Sequence, residues 1–412
     1  MKEKKKLIKR LKNEKGAITV LVIASLLVIM VVFINLYMMG SNKANSQNKE
    51  IKMIQEAYNC TEDKIDLAYK NSIVFEHVNV ANTNPKEALP SNIKEILEND
   101  ANKGIVIKDK NENEWVWVEV PKTIVFSGLI IDTTKELIEQ DYNDIRDRLI
   151  EYVGVYRNGS SYQAKEIWED EWYEGCGLTP EEYTTIYQKM LKSIYNYGGF
   201  WIGRYEAGIE GSIEDVSKAR ISHTDIEIGV SPKAVSQKDT IPYNWIYCGE
   251  AQSLAEEMVP DSDYTSSLMF GIQWDLVCKF LEMKGGLTTA DVNFNSSSWG
   301  IFNSTERLIT SKKAKKSGTP WSVVAEVENI NGIWLTAGAS DDTKKMNIYD
   351  FAGNIWEWTL ERAIGYDSSP CVCRGGSYYY SGYDSPASYR SFNGVTANIY
   401  LIRIGFRSTF FN

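Results

Sequence analysis

A turn flanked by tryptophans near the C-terminus constrains the fold of this chain more than any other stretch. Residues 353–358 read Gly-Asn-Ile-Trp-Glu-Trp. Gly353 and Asn354 are residue types that adopt positive φ at low cost, so the pair predicts a tight turn. Each Trp side chain buries roughly 150–250 Å², so both are expected inside the protein. Two interpretations follow: an aromatic strand pair without chemistry, or a site built on the nearby carboxylates of Asp350 and Glu357.

Charge and composition exclude several classes of protein. The net charge is −10, although the first 15 residues carry eight Lys or Arg against two Glu. The remaining chain is therefore acidic, which argues against a nucleic-acid partner because phosphate binding needs a basic face. The two histidines, His77 and His223, cannot form a three-His metal site. Twelve Trp and 24 Tyr predict a core of large rings, a binding surface, or both.

Residues 16–40 predict a transmembrane or pilin-like helix that follows a basic leader at 1–15. No charged residue occurs from Ala17 to Met39, and such a length spans about 30 Å of hydrocarbon. The basic flank favours a cytoplasmic leader, which predicts a single-pass protein of the cell membrane with an extracellular C-terminal domain. The apolar run is longer than the core of a typical cleaved signal peptide.

Residues 12–20 also resemble the start of a type IV prepilin, in which a basic leader ends in Gly before a long apolar helix. The resemblance implies cleavage after Gly16 and assembly into a pilus. Leu21 stands where that family has an acidic residue, so a plain membrane anchor is the alternative.

The remaining chain is predicted to form a helical stalk and connector at 41–111 and one domain at 112–412. A short helix is expected near Ser91–Asn99, and a strand begins the domain at 114–121. Thr179, Pro180 and Glu182 form the start signal of a helix that ends at Gly198-Gly199. Further helices are predicted at about 251–258 and 271–284. In the latter, Asp275 and Lys279 are expected to pair on the exposed face, with Cys278 in the core.

Five segments in one order resemble the formylglycine-generating enzyme (sulfatase-modifying factor) family. They are Gly199–Glu206, the Trp274 helix, Tyr349–Trp358, Arg374–Ser377 and Gly405–Arg407. The resemblance covers about residues 114–412. It implies an α+β fold, namely the C-type lectin-like fold of the FGE-sulfatase type.

The same resemblance implies a structural calcium ion at the turn. Its ligands would be the side chains of Asp350 and Glu357 and the carbonyl groups of Gly353 and Ile355. Carboxylate and carbonyl oxygens are the ligands that calcium prefers. The alternative is that Glu357 pairs with a nearby arginine.

The resemblance does not extend to catalysis. The oxidases of the family bind copper through two cysteines shortly after the Gly-Gly-Ser segment. Here Ser391 stands at the second position, and Pro386 or a neighbouring Ser at the first. We therefore predict no catalytic residue and no copper, with an enzyme of this family kept as an alternative.

Residues 362–412 contain no Lys, Glu, Gln, Met or Trp, and are instead rich in Tyr, Ser, Asn and Gly. Antibody paratopes favour the same residue types. The five missing types are also those that an Asn codon cannot reach by changes at its two adenines. The segment thus resembles the adenine-mutagenised variable proteins of diversity-generating retroelements. An ordinary Tyr-rich terminus is the alternative.

These patterns predict a membrane-anchored, surface-displayed protein that binds a protein or carbohydrate ligand in adhesion. The other candidates are an enzyme and a minor pilin-like subunit. The predicted ligand-binding residues are Tyr378, Tyr379, Tyr380, Tyr383, Asp384, Tyr389, Phe392, Asn393, Asn398 and Tyr400.

Overall fold

The computed structural model describes residues 69–70, 72–157, 168–211, 232–259, 263–318, 321–366, 370–391 and 401–412. The chain divides into two compact units, residues 1–73 and 74–412. All the elements named below belong to the second unit.

The α-helices within the described part of this unit are α1 (Lys122–Val125), α2 (Glu139–Arg157), α3 (Pro180–Tyr197), α4 (Cys248–Glu257), α5 (Gly271–Lys284) and α6 (Thr289–Asn293). A 3₁₀ turn lies at Asp341–Thr343. The strands are β1 (Ile93–Glu98), β2 (Val106–Asp109), β3 (Glu114–Glu119), β4 (Trp168–Glu169), β5 (Gly199–Gly203), β6 (Gly208–Ile209), β7 (Ala234–Val235), β8 (Thr265–Leu268), β9 (Thr305–Leu308), β10 (Lys315–Lys316), β11 (Ser322–Val323), β12 (Val327–Ile330), β13 (Trp356–Ala363), β14 (Cys371–Arg374), β15 (Arg390–Ser391), β16 (Ile404–Phe406) and β17 (Ser408–Phe411).

The larger sheet is antiparallel and has the strand order β1-β2-β3-β5-β17-β8. Its centre is filled with large rings, as the aromatic composition predicts. Trp115 meets Phe410 edge to face at 5.0 Å, and Trp117 meets Trp201 at 5.1 Å. This sheet places strand β17 between β5 and β8, and all four residues of β17 are buried.

The second sheet carries the Gly353-Asn354 turn and the Tyr-rich stretch. Its order is β15-β14-β13-β16, with β4 also pairing with β13. Strand β13 runs parallel to β16 and antiparallel to β14, so Glu357 lies opposite Gly405 on one side and Arg374 on the other. The two arginine-containing segments singled out in the sequence therefore flank the Trp-Glu-Trp strand.

Helix α3 confirms its predicted boundaries. Thr179 accepts a hydrogen bond from the Glu182 amide, and the Glu182 carboxylate accepts one from the Thr179 amide. At the other end Gly198 adopts the left-handed conformation, with φ of 69°. Local capping groups alone determine both ends, which is why the sequence predicts them well.

The predicted fold class is wrong in its membrane part. The described residues form mixed helices and strands in open sheets. Within that part of the chain, no helix combines the length and apolar character needed to cross a membrane. The leader at 1–15 and the predicted transmembrane helix at 16–40 lie outside the described residues. The predicted transmembrane helix and the predicted cell-membrane localisation are therefore wrong.

The helix predicted near Ser91–Asn99 is wrong as well, because Ile93–Glu98 forms strand β1. Ile93 and Ile96 are three residues apart, a spacing that is compatible with a helical face. In the structure, irregularities in the β1–β2 register after Ile93 and after Ile96 break the strand period of two. The pairing with β2 therefore decides the backbone conformation of this segment.

Candidate ligand-binding surface

The turn at Gly353-Asn354 is built as the sequence predicts. Both residues have positive φ, 80° and 56°. A side chain at Gly353 would collide with the carbonyl group of Ile301, so glycine is required there. The Asn354 amide donates to the Glu206 carboxylate at 2.6 Å, and its oxygen accepts from the Leu335 amide at 2.9 Å. These contacts fix the entry into β13.

Two of the four predicted calcium ligands, the side chains of Asp350 and Glu357, are hydrogen-bonded to protein groups. Both oxygens of Glu357 accept hydrogen bonds from Arg407, the shortest at 2.8 Å. The Asp350 carboxylate accepts from the Gly338 amide and the Thr343 hydroxyl, each at 2.7 Å. A calcium ion here would lie beside a guanidinium group and would have to displace these donors. The arrangement fits the alternative, an arginine pair, and does not fit the ion.

Sequence reasoning missed the third carboxylate of this region, Glu206. Its side chain is fully buried and accepts hydrogen bonds from Asn354 and from the Ile355 amide. Burial, together with the charges of Asp350 and Glu357, raises the pKa of Glu206 well above its ordinary value. Burial also raises the pKa values of Asp350 and Glu357. Three carboxyl groups thus influence one another inside the protein, and one of them, Glu357, is paired directly with Arg407.

A second group of buried charges lies behind β13 and β14. We call it the buried charge cluster, and its members are Arg157, Asp170, Asp275, Glu361, Arg374 and Arg390. The side chains of Asp275, Glu361, Arg374 and Arg390 are 0% exposed. The three arginines balance the three carboxylates. Asp275 is therefore not on the exposed face of α5, and the predicted pair with Lys279 is wrong, since Lys279 pairs with Glu282.

Five of the six predicted ligand-binding tyrosines lie on one long loop. Residues 375–389, which we call the Tyr-rich loop, connect the paired strands β14 and β15. Tyr379 and Tyr383 are 57% and 65% exposed, and Asp384 is also exposed, whereas Tyr380 and Tyr389 are half-buried. These five side chains form what we call the Tyr-rich surface.

Tyr378 belongs to the interior rather than to this surface. It is only 7% exposed and stacks on Trp334, with ring centroids 6.3 Å apart. Phe392, Asn393, Asn398 and Tyr400 lie outside the described residues.

An aromatic layer lies directly beneath the Tyr-rich surface. Trp356, the first Trp of the turn motif, contacts the rings of Tyr380 and Tyr389 at 6.1 and 6.0 Å. The guanidinium group of Arg403 lies 5.4 Å from the ring centroid of Tyr379. The turn motif and the Tyr-rich loop therefore form one packed unit, which sequence separation alone does not reveal.

No family model and no curated protein matches this chain. The resemblance to the formylglycine-generating enzyme family consequently stays a prediction from its motifs.

Two further groups of reactive side chains lie elsewhere in the described residues. Glu76, His77 and Asp100 bring their ligand atoms within 4.8 Å of one another, and His77 contacts Asp100 at 2.8 Å. Cys371 and Cys373 are buried in β14, and burial raises the pKa of both thiols. A thiol with a raised pKa is a poor nucleophile and a poor metal ligand at neutral pH.

Proposed function

We propose that this protein is a ligand-binding protein and that its Tyr-rich surface contacts the ligand. The observation that carries the proposal is the contrast within one loop. Tyr379 and Tyr383 expose more than half of their surface, while Tyr378 and residues 385–388 of the same loop are buried. The backbone amides of Tyr378, Ser385 and Ser388 donate hydrogen bonds, which hold the loop in place. Large exposed rings on a fixed backbone give much contact area at a small cost in conformational entropy.

A protein or carbohydrate partner suits this surface. Tyr offers an apolar ring together with a hydroxyl group, and both kinds of partner present mixed apolar and polar surfaces. Asp384 adds a charged group, whose carboxylate accepts a hydrogen bond from Ser381 at 2.7 Å. Arg403 adds a cation beside Tyr379.

The test begins with selection of binders from a glycan array and from a displayed random-peptide library. Selected binders are then measured against the double variant Tyr379→Ala, Tyr383→Ala and against Tyr366→Ala. Tyr366 is also exposed, at 40%, but lies outside the Tyr-rich loop. Removing two central aromatic contacts is expected to weaken binding by at least about 100-fold, since single hot-spot residues contribute about 2 kcal/mol or more. Binders that retain their affinity for the double variant would place the binding site elsewhere.

We further propose that the exposed positions of the Tyr-rich loop vary between copies of the gene. Tyr379 contacts Tyr380 and Arg403, and Asp384 contacts Ser381. Tyr383 is 65% exposed. Other residues therefore fit at these three positions without repacking the core. Sequencing the DNA around the gene tests this. A nearby template repeat that differs only at adenines, next to a reverse-transcriptase gene, is the expected result; its absence would refute diversification and leave the binding proposal standing.

The enzyme alternative has no comparable observation behind it. Ser391 and Pro386 supply no thiol at the positions where the resembling oxidases have cysteines. The nearest thiols in sequence, Cys371 and Cys373, are buried and have raised pKa values.

A further inference from the structure

The Tyr-rich loop begins and ends on two arginines that share the same partners. Arg374 closes β14, Arg390 opens β15, and the two residues face each other in the strand pair. We propose that Arg374 and Arg390 are the positioning residues of the Tyr-rich surface, because they fasten both ends of the loop to Asp275 and Glu361. That the positioned loop binds a ligand rests on the proposed function. The contacts of Arg374 and Arg390 with Asp275 and Glu361 do not depend on it.

Each arginine contacts both carboxylates. Arg374 reaches Asp275 at 2.7 Å through Nη2 and Glu361 at 2.9 Å through Nη1. Arg390 reaches the second oxygen of Asp275 at 2.7 Å through Nη2 and Glu361 at 2.9 Å through Nε. Two carboxylates thus hold two guanidinium groups in a closed, fully buried arrangement. Charge-assisted contacts of this kind are short and fix orientation as well as distance.

The burial of this arrangement makes release of one loop end costly. If Arg390 left, Asp275 and Glu361 would remain in the interior with less positive charge to balance them. An uncompensated buried charge is strongly destabilising. The loop ends are consequently fixed even though the tip between them projects into solvent.

Other contacts carry this order from the ends towards the tip. Arg374 also donates to the Ser388 carbonyl at 3.2 Å, and Trp274 of α5 donates to the Ala387 carbonyl at 3.0 Å. The Tyr378 amide donates to the Asn354 carbonyl at 2.9 Å. The exposed tyrosines therefore depend on buried charges that they do not touch.

Arg157, another arginine of the buried charge cluster, provides the control for the substitution of Arg390. Arg157 contacts the same Glu361, at 2.7 Å, and Asp275 at 3.5 Å, but it belongs to helix α2. Replacing Arg157 removes one positive charge from the cluster, as replacing Arg390 does, without detaching an end of the loop. A comparison of the two variants separates positioning from general loss of charge balance.

The experiment is amide hydrogen exchange on the full chain and on the variants Arg390→Met and Arg157→Met. For Arg390→Met we expect exchange in residues 376–389 to accelerate at least about tenfold, since local opening becomes easier, while β3 and β5 keep their protection. For Arg157→Met we expect residues 376–389 to stay protected relative to the rest of the chain.

Equal acceleration of the loop in both variants, or in neither, would overturn the proposal. If Arg390→Met does not fold, Arg390→Lys replaces it, because Lys keeps the charge and loses the two-pronged geometry. With Lys, loop protection identical to that of the unaltered chain would overturn the proposal. The measurement needs no ligand, so its failure is distinguishable from failure of the proposed binding function.

Discussion

Single buried charges determine the properties of the turn at Gly353-Asn354. Arg407 donates to Glu357 and to the carbonyl groups of Gly203 and Tyr349. Its side chain therefore links β5, which ends at Gly203, to β13, which contains Glu357, and to the segment that precedes the turn. The sequence identifies both Glu357 and Arg407 as parts of motifs. It does not indicate that they meet, since 50 residues separate them, and it gives no sign that Glu206 joins them.

Calcium and chelators are expected to leave the melting temperature unchanged. A ligand that binds the native state must stabilise it, but Arg407 already occupies the oxygens of Glu357, and Asp350 is held by Gly338 and Thr343. Thermal unfolding in millimolar calcium and in EDTA measures this. A calcium-dependent rise in melting temperature that disappears in Glu357→Gln would show that the ion binds after all.

Glu206→Gln is expected to flatten the dependence of stability on pH. The pKa of Glu206 is raised in the folded state by burial and by the charges of Asp350 and Glu357. The folded protein therefore binds more protons than the unfolded chain, and the free energy of unfolding rises as the pH falls from the raised pKa towards the ordinary value of 4.5. One proton contributes at most about 1.4 kcal/mol for each pH unit in that window.

Denaturant unfolding at pH values about one unit apart, from about 5 to about 8, measures this slope in both proteins. The exposed Glu169→Gln serves as the control. Identical slopes in the unaltered chain and in Glu206→Gln would contradict the assignment of the bound proton to Glu206.

Secondary-structure elements divide into those set by local signals and those set by tertiary pairing. Helix α5 runs from Gly271 to Lys284 as predicted, with Cys278 buried in the core. The same apolar spacing predicts that Asp275 is exposed, and this prediction is wrong. Periodicity cannot distinguish a helix face that meets solvent from one that meets buried arginines. The helix prediction for residues 91–99 is wrong for a related reason. Pairing with β2, and not the local sequence, determines the conformation of β1.

Thr179→Ala is expected to destabilise the protein by about 1 kcal/mol through loss of the α3 cap. Thr179 accepts from the Glu182 amide, which would otherwise lack a partner within the helix. Thr184→Ala is the matched control, because Thr184 is an exposed residue of the same helix whose hydroxyl only donates to the Pro180 carbonyl. Chemical denaturation measures both. Equal losses in the two variants would mean that the cap makes no special contribution.

At the scale of the whole molecule, the sequence predicts the motifs within residues 112–412 but not that residues 74–111 belong to the same core. The segment before β3 has few of the apolar runs that mark a core. In the structure, however, Leu89 and Ile105–Ile107 are fully or almost fully buried. Trp117 donates to the Thr83 hydroxyl and Trp201 to the Ala88 carbonyl, both at 2.7 Å. Residues 74–111 therefore complete the core around the large rings of β3 and β5.

The domain boundary at residue 74 in the structure and the boundary at residue 112 predicted from the sequence lead to different expectations for shortened chains. A chain of residues 74–412 contains the whole second unit and is expected to unfold in one cooperative transition. A chain of residues 112–412 is expected to lose its cooperative transition and to aggregate, because β3 becomes an uncovered edge strand and the indole N–H groups of Trp117 and Trp201 lose their acceptors. Circular dichroism melting and size-exclusion chromatography distinguish the two. A cooperative, monomeric 112–412 with an unchanged melting temperature would show that β1 and β2 are dispensable, and that the boundary predicted from the sequence is the functional one.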